Sequence, residues 1–271
     1  MHKLSITTAW NESADYLKQH FGALYTLAVA LITLPNVALQ AFGPAAMVPG
    51  EAPQPGLWLL LVPIVLVLGI TGSLAISTLA LGRAATIGEA IGHGFRRFLP
   101  MLGATLILIL ALCVLLVPLV LATGIKPGDL LAPTPATAGK VLLLMLVVLA
   151  LALFLGVRLL LSTPVAAAEP VGPVAILARS WALTAGHFWK LLGFLLLLGI
   201  AAMVLILVAT MAIGLIVAAT LGPPAPGTAP GLVMLLVGGL LNAVFLVVMT
   251  TMAARLYLQL SGGGAAPIKG S

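Results

Sequence analysis

Residues 191–221, LLGFLLLLGIAAMVLILVATMAIGLIVAATL, contain no charged side chain. A helix needs about 20 apolar residues to cross the hydrocarbon core of a bilayer, so this stretch is long enough for one crossing. The charge-free sequence continues to Ala254 and accommodates a second crossing. Two further charge-free runs occupy residues 57–82 and 98–125. The pattern predicts an all-α, polytopic membrane helix bundle.

The composition agrees with a membrane protein. Hydrophobic residues make up 62% of the 271 residues and charged residues only 7%, whereas a soluble domain carries about a quarter charged residues. The net charge of +6 does not indicate a nucleic-acid partner, because the basic residues are scattered at the ends of apolar segments and are not clustered with aromatic residues. The single cysteine, Cys113, excludes an intrachain disulfide and a cysteine-based metal site.

Six crossings fit the sequence best. They are expected at about residues 21–42, 57–82, 98–123, 141–165, 189–220 and 231–258. Proline- and glycine-rich connections, which break helices, join them into three hairpins at residues 42–56, 123–140 and 221–231. The predicted organisation is an N-terminal cytoplasmic interfacial helix at 1–20, a six-helix membrane domain at 21–260 and a flexible C-terminal tail at 261–271.

The distribution of positive charge predicts the orientation. Of the twelve lysines and arginines, two lie in the hairpins, Lys126 and Lys140, and the other ten lie at the termini or in the remaining connections. Lysine and arginine in short loops prefer the cytoplasmic side of a membrane. We therefore expect both termini to face the cytoplasm and the three hairpins to face the opposite side.

The polar stretch ARSWALTAGHFWKLLGF, residues 178–194, predicts a helix lying on the membrane surface before the fifth crossing. Pro173 can start this helix, which we expect to end near His187. Leu177, Trp181 and Phe188 fall on one apolar stripe, and the aromatic residues Trp181 and Trp189 suit the headgroup region. Three polar side chains are expected to face away from the stripe: Arg179, Thr184 and Lys190.

Features of this segment recur along the chain. Crossings open at three phenylalanines, Phe21, Phe98 and Phe188. Each of these phenylalanines directly follows a basic or titratable residue. Each hairpin's return crossing ends in a lone arginine: Arg83, Arg158 or Arg255. The recurrence is compatible with a threefold structural repeat or with three unrelated amphipathic segments, since surface helices resemble one another.

Two polar residues within the crossings are candidates for function. Ionisable groups inside a membrane are costly, and Arg158 is the deepest of them. It lies near the cytoplasmic end of its crossing, so anchoring by contact with lipid phosphates is favoured over a substrate site. Asn242 is the most central strong hydrogen-bonding side chain, and an interhelical hydrogen bond is its favoured role.

The chemistry-bearing residues do not form a recognisable catalytic pattern. None of the six carboxylates lies in a crossing, and the four histidines show no HExxH spacing. We therefore expect no catalytic residues, cofactor or metal. The one cluster that could support a membrane-embedded lipid enzyme combines Arg158, Glu169, Arg179 and His187, in which Glu169 and His187 would be the acid and base.

The sequence RLLLSTPVAAAEPVGPVAILARSWALTAGHFWKLLGFLLL, residues 158–197, resembles the membrane domain attached to some bacterial glycerophosphodiester phosphodiesterases and related stand-alone proteins. The residues that carry this resemblance are Arg158, Pro164, Glu169, Ala175, Arg179, Ser180, Trp181, Leu183, Thr184, Gly186 and Trp189. It implies six crossings and a bacterial inner-membrane location. It does not imply phosphodiesterase activity, because that chemistry belongs to a separate barrel of about 250 residues with acidic metal ligands.

Within this motif, Arg179 can contact lipid phosphates or pair with Glu169. The sequence favours a non-enzymatic inner-membrane protein that scaffolds or assists envelope and lipid processes, with membrane lipids and an unidentified protein as candidate partners. The alternative is a transporter or channel for a lipidic or hydrophobic substrate. The candidate interface or functional residues are Arg158, Glu169, Arg179, Trp181, His187, Trp189, Lys190 and Asn242.

Overall fold

The computed structural model describes residues 5–43, 56, 58–131, 133–225 and 227–262. These parts of the chain are helical and contain no strand. Six helical spans are long and apolar enough to cross a membrane, which confirms the predicted fold class. Numbered 1 to 6, the spans are Ile6–Phe42, Trp58–Ala80, Ile87–Thr123, Ala138–Ala168, Phe188–Leu221 and Ala229–Leu260.

Some spans contain more than one helix. Span 1 comprises α1 (Ile6–Ala28), a π-helical turn (Val29–Thr33) and α2 (Leu34–Phe42). Span 4 comprises α6 (Ala138–Arg158) and α7 (Ser162–Ala168). The remaining spans are the single helices α3 (Trp58–Ala80), α4 (Ile87–Thr123), α9 (Phe188–Leu221) and α10 (Ala229–Leu260). Two shorter helices, α5 (Pro127–Leu131) and α8 (Pro173–Ala185), lie in the connections on either side of span 4.

The π turn in span 1 has an identifiable cause. In a regular α-helix the ring of Pro35 would clash with the carbonyl group four residues earlier, and its nitrogen cannot donate a hydrogen bond. The N–H of Leu34 instead donates to the carbonyl of Val29, five residues earlier, which widens the helix by one residue in this turn. The proline is thereby accommodated without ending the helix.

Span 1 continues through residue 20, where the sequence analysis divides an interfacial helix from the first crossing. Its 37 residues correspond to a length of about 55 Å, which exceeds the hydrocarbon thickness of about 30 Å. Part of span 1 therefore extends beyond the bilayer core without a break. The predicted tail at 261–271 lies outside the described residues from residue 263 onward.

Three arginines mark one end of the bundle. Arg83 follows α3, Arg158 ends α6, and Arg255 lies in the last turns of α10. We call this the arginine end, and we call the opposite end, at which spans 1, 3 and 5 terminate, the hairpin end. The main apolar core lies toward the arginine end and includes the buried side chains of Leu161 and Leu256.

The core is closed by the segment that joins spans 4 and 5. α7 is almost entirely buried and packs against α3, α4, α8 and α10. Its alanines Ala166, Ala167 and Ala168 are small, which allows these helices to approach closely. The outer faces of α4, α6 and α9 instead carry exposed leucines, as expected of lipid-facing surfaces.

The helix predicted between spans 4 and 5 corresponds to α8, and its location on the membrane surface stays a prediction. It has Gly172 as its N-cap residue and Pro173 as its first helical residue, and it ends at Ala185. Span 5 then begins at Phe188, as the sequence analysis expects. The segments that precede Phe21 and Phe98 are parts of spans 1 and 3, so the three recurring segments do not share the break that separates α8 from α9.

Candidate functional site

The polar side chains at the arginine end include two separate groups around α7 and Arg158. The first surrounds the C-terminal end of α7, where backbone carbonyl groups lack helical partners and the helix dipole favours positive charge. Nη1 of Arg83 donates a hydrogen bond to the carbonyl oxygen of Ala168. Nε2 of His93 lies 2.9 Å from the carbonyl oxygen of Ala167. Arg83 and His93, which the sequence analysis does not single out as functional, thus stabilise the end of α7.

Glu169, the residue after α7, links three helices. Its Oε1 atom accepts a hydrogen bond from Nε of Arg179 on α8 at 3.2 Å and one from the hydroxyl group of Tyr257 on α10 at 2.8 Å. Of the two roles considered for Arg179, the structure contains the pair with Glu169. Tyr257 was missed because nothing in its local sequence indicates a partner 88 residues away.

Arg158 is held by three aromatic rings. Its guanidinium carbon lies 5.0 Å from the ring centroid of Trp181, 5.4 Å from that of Phe188 and 5.5 Å from that of Phe154. A cation over such rings is attracted by their electrostatic quadrupole. The Nε and Nη1 atoms are buried and have no hydrogen-bond partner within the described chain. The three rings come from α6, α8 and α9, so this arginine is fixed at the junction of three helices.

The backbone of Arg158 is also a point of attachment for α8. Its carbonyl oxygen accepts hydrogen bonds from Oγ of Ser180 at 2.8 Å and from Oγ1 of Thr184 at 3.3 Å. Both side chains are fully buried. The expectation that Thr184 faces away from the apolar side of α8 is therefore wrong. Thr184 follows Leu177 by seven residues and Trp181 by three, so helical periodicity puts all three on one face of α8. Its hydroxyl group gives the unpaired carbonyl at the end of α6 a donor.

A pocket of about 540 Å³, which we call the Arg158 pocket, opens beside this junction. It lies at the N-terminus of α9, where the first N–H groups of the helix have no intrahelical partners and the helix dipole favours an anion. Arg158 and Lys190 add two positive charges. Trp189, with 79% of its surface exposed, stands at the rim. The lining residues are Phe154, Arg158, Ala185, Gly186, His187, Phe188, Trp189 and Lys190.

A second cavity, of about 470 Å³, lies between spans 1 and 6. We call it the amide cavity, because Asn36, Gln40 and Asn242 line it together with Thr33. Its other lining residues are Ile32, Val37, Met234, Leu235, Gly238, Gly239 and Leu246. Spans 1 and 6 approach closely beside the cavity, since a Cβ atom on Gly239 would lie 2.8 Å from Cγ2 of Thr33.

The amides of this cavity differ in their hydrogen bonding. Nδ2 of Asn36 donates to the carbonyl oxygen of Ile32 at 2.8 Å, next to the π turn. Within the described residues, the side chains of Gln40 and Asn242 form no hydrogen bond, and both are exposed to the cavity or its mouth. The interhelical hydrogen bond expected of Asn242 is therefore absent from this part of the chain. Asn36 and Gln40 were missed, although their four-residue spacing puts them on one helix face.

Residues 23–260 match the family described as a domain of unknown function, DUF7847. The chain belongs to the DUF7847 family. The match includes all of spans 2 to 6, and within span 1 it includes the part that lines the amide cavity. The Arg158 pocket and the amide cavity of this DUF7847 protein are therefore built from residues of the family domain. No curated protein and no solved structure matches the chain.

The structure of this DUF7847 protein divides the cluster considered for lipid chemistry. Glu169 and Arg179 pair with each other at the end of α7, whereas Arg158 and His187 line the Arg158 pocket, to which Glu169 and Arg179 do not contribute. The proposed acid and base thus belong to different groups. The described residues also contain no group of three or more histidine, cysteine, aspartate or glutamate side chains suited to a metal ion.

Proposed function

We propose that this DUF7847 protein is a non-enzymatic inner-membrane protein that binds the phosphate of anionic phospholipids and in this way scaffolds or assists lipid and envelope processes. The observation that carries the proposal is the Arg158 pocket. It combines Arg158, Lys190 and the N-terminus of α9 in a space of about 540 Å³. A phosphate group is a suitable ligand because it accepts hydrogen bonds from both guanidinium and backbone N–H groups.

The aromatic rings around Arg158 support this role. A flexible arginine loses conformational entropy when it binds a phosphate, whereas one already restrained by Phe154, Trp181 and Phe188 loses less. The exposed ring of Trp189 suits the interfacial region of a bilayer. A phospholipid can therefore place its phosphate in the pocket while its acyl chains remain in the membrane.

The assignment of the arginine end to the cytoplasm is part of the proposal. It is supported by the basic residues of the sequence, ten of twelve of which lie outside the proline-rich hairpins. The relation to the membrane domain of glycerophosphodiester phosphodiesterases also stays a prediction, and it is consistent with a role in lipid metabolism. The non-enzymatic assignment is supported by the engagement of Glu169 with both Arg179 and Tyr257.

Native mass spectrometry of the purified protein, titrated with phosphatidylglycerol, tests the headgroup site. We expect Arg158→Gln and Lys190→Gln each to weaken binding about tenfold, because each removes a charged hydrogen-bond donor. Lys18→Gln is the matched control, since Lys18 is exposed and pairs with Asp15 at 2.9 Å, away from the pocket. Equal affinity in all three variants would refute the proposal.

A second candidate function is transport of a lipidic substrate, and the amide cavity is the observation that favours it. Intramembrane polar groups between the first and last spans are typical of a substrate path. Proteoliposomes containing a fluorescent, uncharged glycolipid test this function through the rate at which the lipid exchanges between leaflets. A rate equal to that of protein-free liposomes would exclude transport of that lipid.

A further inference from the structure

We propose that the amide cavity binds an uncharged lipid that carries hydroxyl or carbonyl groups. The inference concerns a different part of the molecule from the Arg158 pocket and does not require transport. A permanently bound structural lipid would satisfy it as well as a substrate in transit. It rests on the polarity, the depth and the shape of the cavity.

The polar lining needs a partner. Asn242 lies 13 residues into α10 from Ala229, which places it about 20 Å along the helix axis, well inside an apolar span. An amide in hydrocarbon without a hydrogen bond is destabilising, because it loses its hydration without compensation. Gln40 and Asn242 form no hydrogen bond within the described chain, so a group that both donates and accepts hydrogen bonds would stabilise this region.

The remaining lining is apolar. Met234, Leu235 and Leu246 of α10 face Ile32 and Val37 of span 1 across the cavity. Water would satisfy the amides but would leave this apolar surface hydrated, and a bare acyl chain would leave the amides without partners. An amphiphilic molecule with a small polar group satisfies both parts of the lining.

The ligand is expected to be uncharged. The cavity's lining residues, all of them within the described chain, include no lysine, arginine, histidine, aspartate or glutamate. An ionised headgroup at this depth would lose its hydration without gaining an opposite charge. Hydroxyl and ester carbonyl groups have no such penalty, because amide side chains offer both donors and acceptors.

The arrangement of the amides indicates a route from the hairpin end. Gln40 lies two residues before the end of α2, and Asn36 lies one helical turn deeper on the same face. Asn242 is deeper again, on the facing helix α10. The three amides therefore form a polar line from the hairpin end toward the middle of the bundle. The volume of about 470 Å³ falls within the range of ligand pockets, about 300–1,000 Å³.

Gly238 allows the cavity to be filled without disturbing the helix packing. It lines the cavity, and a Cβ atom placed on it meets no atom within 4 Å. Gly238→Leu therefore extends a side chain into the open space and leaves every amide in place. Gly199→Leu in α9 is the matched control, because a Cβ atom there also meets nothing within 4 Å and the residue lies outside the amide cavity.

The test is photolabelling of the full-length protein in phosphatidylcholine vesicles. The probe is a photoactivatable diacylglycerol, which carries one hydroxyl and two ester carbonyl groups, and a phosphatidic acid probe with the same acyl chains supplies the charged comparison. We expect diacylglycerol to label the lining segments 32–40 and 234–246. Gly238→Leu should reduce this labelling about tenfold, and Gly199→Leu should leave it unchanged.

Asn242→Leu provides a second variant, because it removes one amide while retaining a side chain of similar size. Its labelling is expected to fall about threefold, the effect of one lost hydrogen bond. Undiminished labelling of Gly238→Leu, or equal labelling of the same residues by the phosphatidic acid probe, would overturn the inference. Neither result would alter phosphatidylglycerol binding at Arg158, so the two proposals fail separately.

Discussion

The hydrogen bond from Tyr257 to Glu169 should contribute measurably to stability, because it connects α10 to the segment that joins spans 4 and 5. Tyr257→Phe removes only the hydroxyl group and keeps the ring. A hydrogen bond to a charged acceptor contributes about 1.5–3 kcal/mol. The side chain of Glu169 is 24% exposed, so water replaces part of the lost bond, and we expect a loss of about 1–2 kcal/mol in the free energy of unfolding.

The assay is reversible unfolding of the purified protein in mixed micelles, followed by circular dichroism. Tyr25→Phe is the matched control, since its hydroxyl group donates to the carbonyl oxygen of Leu240 at 3.3 Å in an exposed position. We expect this control to lose about 0.5 kcal/mol or less. If the two variants are equally stable, the link through Glu169 does not hold α10 to α7, and the reasoning is refuted.

Three further predictions follow from the packing and the topology. Gly239→Ala should destabilise the protein by about 1–3 kcal/mol, because its Cβ atom would lie 2.8 Å from Cγ2 of Thr33; thermal unfolding of Gly238→Ala serves as the control. Reporter fusions within residues 124–137 should indicate the periplasm, and a cytoplasmic signal would contradict the proposed orientation. In reconstituted single-tryptophan variants, Trp181, which is 41% exposed, should be quenched by lipid-attached quenchers; quenching from water alone would contradict docking of α8 on the membrane.

The spans and helix α8 were predictable because their signals are local. Six apolar segments follow from hydropathy alone, and the start of α8 follows from Pro173. The partners of the polar side chains were not predictable in this way. Ser180 and Thr184 donate to the carbonyl oxygen of Arg158 at the end of α6, 22 and 26 residues away. Such pairing depends on tertiary packing, which helical periodicity does not encode.

In the candidate site, too, the residues were predictable from the sequence but their tertiary contacts were not. The sequence identified Arg158, His187, Trp189 and Lys190 as interface residues, and the structure places all four around one pocket. The sequence did not predict that three aromatic rings would surround Arg158, because these rings come from separate helices. Asn242 was recognised by its central position in the last span, whereas its cavity partners lie on the first span, more than 200 residues earlier.

The π turn at Val29–Thr33 determines which way the end of span 1 faces. A turn of this kind contains one more residue than the α-helical turns around it, and each residue of an α-helix rotates the chain by about 100°. Deleting one residue there would swing Asn36 and Gln40 about a quarter of the way around the helix axis and away from Gly238. The mean hydropathy of span 1 would hardly change on this deletion. The helical phase of this short segment, more than its composition, therefore decides whether spans 1 and 6 share a polar interior.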